Sequence, residues 1–148
     1  MTRNETLSED LQEILEDGGG VLCVRSPETD RNWNGIQYKT GISAKNVGSR
    51  SLSMNVAIVP PGGIAYAHSH IDFEVMLYIL EGHVRHEYGT GLEKGMENKA
   101  ADFIFIKPGV PHEVINLSNT KPVVAVVARS DASEWENITD YPSKRRPA

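Results

Sequence analysis

His68-Ser69-His70, then Glu74, then His112 within Pro108-Gly109-Val110-Pro111-His112, supply three imidazoles and a carboxylate, a donor set suited to a divalent transition metal. Side chains alternate faces along a β-strand, and positions 68, 70 and 74 share a parity, so one strand would point all three into a single cavity. On a helix, at about 100° per residue, positions 68 and 70 would diverge by about 200°. The spacing therefore predicts a metal held inside a sheet. Three neutral imidazoles and one carboxylate leave room for further ligands on an octahedral ion, and no thiolate of the kind that closes structural zinc sites takes part. Such an ion can chelate paired substrate oxygens, lower the pKa of a bound water or, as iron, manganese or copper, carry electrons. One divalent transition metal ion is the expected cofactor. Affinity order favours Cu, Ni or Zn, the mixed set also serves Fe and Mn, Co lies in the same series, and the residues do not choose among them.

Three side chains are candidates for the chemistry itself. Glu74 would be a metal ligand that can loosen to act as a base. Tyr78 shares its parity and is either an inward hydrogen-bonding wall or core, with Met76 as plain lining on that face. His86 is a proton shuttle if the parity survives Gly82, or a solvent-exposed ring beside Arg85 and Glu87. Asp72 either orients a ligand or is solvated, and Glu81 and Glu113 read as solvated. Gly89, Gly91 and Gly95 lack nucleotide-binding spacing and read as turn residues. No Ser or Cys stands in a nucleophile elbow.

The elements that must carry these residues are strands. Residues 50–60 alternate Leu52, Met54, Val56 and Ile58 with Ser51, Ser53, Asn55 and Ala57, which predicts a half-buried strand. Pro60-Pro61-Gly62-Gly63 turns the chain toward strands over 65–70 and 73–80; further strands are predicted over 84–88, 103–106, 113–116 and 122–129. Ahead of them, Thr6-Leu7-Ser8-Glu9 has capping-box form, and Leu7, Leu11, Ile14 and Leu15 recur at helical spacing until Gly18-Gly19-Gly20. The expected organisation is an N-terminal helical arm over 1–20, a barrel over 21–131 and a C-terminal tail over 132–148, with a helical turn at 132–137 and a frayed Pro-rich end. Short strands without βαβ alternation make an all-β sandwich or barrel of jelly-roll type.

Bulk properties narrow the function classes. The 148 residues suit one domain, and nothing in a net charge of −5 favours nucleic acid, whose phosphates require a basic surface, so no nucleic-acid partner is expected. Lys144-Arg145-Arg146 reads as a solvated tail. The single cysteine, Cys23, sits in the apolar run Val21-Leu22-Cys23-Val24 and is expected to be a buried small hydrophobe. The first ten residues lack the basic and apolar segments of an export signal, and no apolar run reaches membrane-spanning length, so a cytoplasmic location is expected.

With these motifs in place, the chain resembles the cupin superfamily over about residues 52–127, as a small single-domain member. Its first motif is matched from Gly62 through His68, His70 and Glu74 to Gly82, and its second by Pro108, Gly109, His112 and Asn116. The resemblance implies a double-stranded β-helix in which His68, His70, Glu74 and His112 bind the metal. Seven residues separate Glu74 from Gly82 where six are usual; parity with the histidines favours Glu74 as the ligand, with a bulge or a displaced Gly82 taking up the difference. Ala101 and Lys107 stand where the second motif usually has Gly and Pro. The resemblance further implies a metal-dependent enzyme on a small oxygen-rich molecule, foremost a dioxygenase; a non-redox lyase, isomerase or decarboxylase and a small-ligand sensor are the alternatives. A homodimer is expected, because a second copy commonly covers the strand edges of small cupins.

Overall fold

Short Val-, Ile- and Phe-rich runs separated by Gly, Pro and Asn form strands almost throughout. The computed structural model describes residues 15–26, 31–133 and 137–147. In chain order these contain β1 (Leu15–Asp17), β2 (Leu22–Val24), β3 (Arg31–Trp33), β4 (Ile36–Ile42), the one-turn helix α1 (Ala44–Val47), β5 (Ser53–Val59), β6 (Ile64–His70), β7 (Val75–Glu81), β8 (His83–Tyr88), β9 (Lys94–Lys99), β10 (Phe103–Ile106), β11 (His112–Asn116), β12 (Val123–Arg129) and β13 (Ile138–Asp140). Every strand pair is antiparallel. Six strands in the order β10-β7-β12-β5-β4-β3 face five in the order β13-β6-β11-β8-β9, and β1 and β2 form a separate hairpin. The all-β jelly roll expected from the sequence is the fold.

Between the sheets the core divides in two. Ile36, Tyr38, Val59, Ala65, Ile79, Val84 and Val123 fill one cluster, and Phe73, Val75, Ile106 and Val127 the other. Full burial of such aliphatic or aromatic side chains stabilises by roughly 1.5–3 kcal/mol each. Gly82 joins β7 to β8 at φ +106, and a Cβ there would stand 2.8 Å from Val123 Cα, so the crossing requires glycine.

Several expectations change. The helical arm falls largely on residues 1–14, outside the described residues. At its C-terminal end, Leu15–Asp17 is strand β1, because Gly19 and Gly20 adopt φ +89 and +101 and close a hairpin onto β2. That hairpin belongs to neither large sheet, which leaves Cys23 exposed rather than buried. The alternation of β5 is real but its faces are reversed: Ser53, Asn55 and Val59 point in, while Leu52 and Met54 are exposed. An apolar outer face accounts for this. Register places Val56, Val126, Tyr78 and Phe103 in one row and Met54, Ala128, Met76 and Phe105 in the next, across β5, β12, β7 and β10. Gly89 and Gly91 do serve a turn, whereas Gly95 lies within β9, where a Cβ would collide with the Arg85 guanidinium at 2.1 Å.

The C-terminal segment is an integral part of the sheet rather than a frayed tail. The helical turn predicted for 132–137 has 134–136 outside the described residues. Beyond it β13 pairs with β6, Ile138 opposite His70. Glu113, predicted to be solvated, is 0% exposed. It accepts from the Ala67 amide at 3.0 Å, from Arg145 Nη1 at 2.8 Å and from the Ser143 hydroxyl. Arg146 donates to Ala67 O at 2.7 Å and to Asn34 Oδ1 at 3.1 Å, and it lies over the Tyr66 ring. The basic run read as solvated thus clamps the strand that carries His68 and His70. Among the described residues no helix is long and apolar enough to cross a membrane.

Candidate metal centre

β6 presents its inner face irregularly. Between the pairs His112 to His68 and Val114 to Ala65 the register slips, so Ala65 and His68 both face the interior despite opposite parity. His70 follows on the same face. The turn at Pro108-Gly109, with Gly109 at φ +80 and its amide donating to His70 O at 2.7 Å, delivers His112 to the start of β11 directly opposite His68. The three imidazoles meet with ring centroids 4.5 to 5.0 Å apart, and one nitrogen from each lies within 4.8 Å of the others. They line a cavity of about 80 Å³ together with His86, Val75 and Arg129.

Electrostatics prepares these rings to bind a cation. His68, His70 and His112 are 6%, 4% and 4% exposed. Burial is the first cause of a lowered pKa in each; neighbouring imidazoles add to it for His70 and His112, and the Arg129 charge adds to it for His68 and His70. His70 is brought down to about 3. All three are neutral near pH 7. Because a carbonyl oxygen only accepts, His68 Nδ1 donates to Tyr66 O at 2.8 Å and His112 Nδ1 to Val110 O at 3.0 Å, which leaves each Nε2 with an available lone pair. His70 Nδ1 is buried without a hydrogen-bond partner. Convergent neutral imidazoles and an unsatisfied ring nitrogen fit a divalent transition metal.

Glu74 is not part of this cluster. Its side chain is exposed, and its backbone is tied to Ser130 by Glu74 N to Ser130 Oγ at 2.8 Å and Ser130 N to Glu74 O at 3.1 Å. The shared parity of 68, 70 and 74 fails because they do not share a strand. β6 ends at His70, the chain bends through Ile71 and Asp72 with Asp72 at φ +64, and β7 starts at Val75 one step out of phase. Val75, 2% exposed, is therefore the residue beside the histidines, and six residues separate it from Gly82. The spacing to Gly82 was the better guide. Three rings without a carboxylate leave half an octahedral shell open.

The same change of phase moves Tyr78 and Met76 to the outer surface, where the Tyr78 ring packs 4.5 Å from Phe103. Asp72 is exposed at the bend. His86 goes the other way: it is 5% exposed and lines the cavity, rather than lying in solvent beside Arg85 and Glu87. Its Nδ1 pairs with Asn98 Oδ1 at 2.9 Å, and because that oxygen only accepts, the Nε2 lone pair is free; burial lowers its pKa. Arg129 escaped the sequence reading. It ends the in-facing series Val123, Ala125, Val127 and donates to Asn55 Oδ1 at 3.3 Å; a charge in phase with a buried apolar series was the available signal.

Comparison with known proteins agrees with this architecture. The Cupin domain family matches residues 55–129. An uncharacterized protein of Methanocaldococcus jannaschii is 40% identical over 67 residues, covering 45% of this chain and 51% of that protein, so the chain spans about half the length of this curated relative. The structure of Lactobacillus farciminis oxalate decarboxylase in a formate complex superposes with a TM-score of 0.64 at 16% identity, over 74% of this chain and 32% of that one. Recombinant oxalate oxidase in complex with glycolate gives 0.62 at 20%, over 78% and 59%. The cupin domain of a Schizosaccharomyces pombe protein gives 0.60 at 11%, over 72% and 69%. At those identities the likeness is one of fold, and the family match over half the sequence decides membership: this chain belongs to the Cupin domain family.

Proposed function

We propose that the protein is a metal-dependent enzyme acting on a small oxygen-rich organic molecule, with oxygen-using, dioxygenase-type chemistry as the first reading. The observation that carries it is the convergence of His68, His70 and His112, neutral and buried, on one side of a largely apolar cavity. A divalent ion held by those rings would orient chelating substrate oxygens and, as iron or manganese, would activate dioxygen. His86 replaces Glu74 as the candidate proton acceptor, since Asn98 fixes its tautomer and its Nε2 lone pair is free. Val75 and the surrounding aliphatic wall exclude water, which strengthens every polar contact made inside. Oxalate oxidase and oxalate decarboxylase share the fold, so small carboxylates are the substrates to screen first. The test is turnover across such a panel in air and under strict anaerobiosis. Oxygen-dependent product is expected, and His86→Asn should lower turnover by at least about a hundredfold with bound metal unchanged. Product formed at equal rate without oxygen would overturn the dioxygenase reading in favour of Lewis-acid lyase or isomerase chemistry; tight binding of unaltered ligand would favour a sensor. A cytoplasmic setting remains part of this proposal.

We also propose a homodimer built on the outer face of the six-stranded sheet. Phe103 is 82% exposed, Met76 54% and Leu80 50%, a clustering of large apolar side chains that marks an interaction surface. Sedimentation should give twice the 16.3 kDa chain mass, and Phe103→Lys should shift it toward monomer. A monomer at all concentrations would exclude the assembly.

A further inference from the structure

The cavity around the histidine cluster is too small for a substrate of ordinary size. Its volume is about 80 Å³, whereas pockets that enclose small organic ligands run from about 300 Å³ upward. A second cavity of about 230 Å³ lies beside it and shares two of its walls, His86 and His112. Together the two reach the lower end of that range. The second cavity exists because of how the sheets end. β9 is the last strand of one sheet and β10 the last of the other, and no ladder joins them, so the two edges are linked by the turn between Lys99 and Phe103 and not by strand pairing. Met96 lies opposite His86 in the β8–β9 register and so shares its inner face, yet it is 44% exposed and lines this cavity with Ile104 of β10. Ile104, Val110 and Tyr88 add apolar surface, and Lys107 is the only Asp, Glu, Lys or Arg among the lining residues.

We propose that this side cavity is the second half of the substrate site and takes the apolar body of a small organic anion. The anionic group lies at Lys107, the body packs on Met96, Ile104 and Val110, and the oxygen-bearing end passes His86 to reach the histidine cluster. The ligand class is thus an aryl or alkyl carboxylate with oxygen functions at its far end. The substrate enters between the sheet edges, from the side. This rests on the enzyme reading only for which end reacts; the cavity and its charge stand on their own geometry.

The test titrates 4-hydroxyphenylacetate and its neutral amide into metal-loaded and metal-free protein, with metal content measured alongside. The acid is expected to bind about threefold tighter than the amide, the size of a solvent-exposed ion pair, and Lys107→Met should remove that preference. Met96→Trp, which fills the cavity from an exposed position, should weaken the acid by about tenfold without changing bound metal or thermal stability. Equal affinity of acid and amide in the unaltered protein, unchanged affinity in a folded Met96→Trp variant, or no measurable binding of either probe overturns the proposal. If the protein takes up no metal while the acid still binds and both variants act as expected, the enzyme reading fails and the side cavity stands.

Discussion

His70→Ala and His112→Ala should each weaken binding of a divalent transition metal by well over a hundredfold, while Glu74→Gln leaves it unchanged. Loss of a partner that merely orients a ligand costs about 10- to 100-fold in affinity, so loss of a ligand must cost more. The contrast with Glu74 is the discriminating part, because sequence parity places Glu74 in one shell with His68 and His70, and the bend at Asp72 turns Glu74 outward. Isothermal titration with cobalt, joined to the visible spectrum of the bound ion, measures both affinity and ligand field. A tenfold or larger loss in Glu74→Gln would restore the carboxylate to the shell; unchanged binding in both histidine variants would remove the metal site altogether. Protons compete for the same nitrogens, so affinity should fall with pH.

The metal-free fold should weaken in the same direction. Burial depresses the folded pKa of His70 from 6.5 to about 3, so the unfolded chain binds the extra proton first. The stability contributed by the neutral ring is complete above about 6.5 and is lost as pH falls from there toward 3. Between 6.5 and 5 that loss is about 2 kcal/mol from His70 alone, and His68, His86 and His112 act in the same sense. Urea midpoints of metal-free protein that stay level from pH 7 to pH 5 would contradict it.

Glu113→Ala should destabilise the protein by about 3 kcal/mol, or about 10 °C in Tm, the second large effect. The carboxylate is fully buried and receives Ala67 N, Arg145 and Ser143, so its removal leaves the buried Ala67 amide without its acceptor and the Arg145 guanidinium with Glu87 alone. Glu87 is the control. It shares Arg145 at 2.8 Å and pairs with Arg85 at 3.1 Å, but its side chain is 18% exposed, and Glu87→Ala should cost no more than about 1 kcal/mol. Comparable losses in the two variants, in urea or thermal unfolding, would show that burial of Glu113 is not what anchors the C-terminal segment.

Much of this molecule is legible without its structure. Alternation in residues 50–60, the Val-rich run over 122–129 and the turn residues between runs specify strands, because a pleated sheet imposes a period of two and favours β-branched side chains. His68, His70 and His112 stand in a spacing that only a sheet brings together. Parity then misleads wherever the chain leaves a strand. It miscounts across the bulge in β6 and the bend at Asp72, and with Glu74 it carries Tyr78 to the wrong face. His86 and Glu113 are polar residues at interior positions, and only their partners, Asn98 in one case and the C-terminal segment in the other, make burial tolerable. Those partners are distant in sequence, so no local pattern announces them.

The sequence by itself determined an all-β jelly roll and three histidines as candidate ligands, since periodicity and residue chemistry are local properties. Tertiary structure alone decided that Val75 rather than Glu74 lines the cluster, that His86 and Arg129 join it, and that the apolar face of β5 looks outward. Each of these depends on the phase of one strand against another, set by bends, bulges and long-range pairing that a linear pattern does not contain.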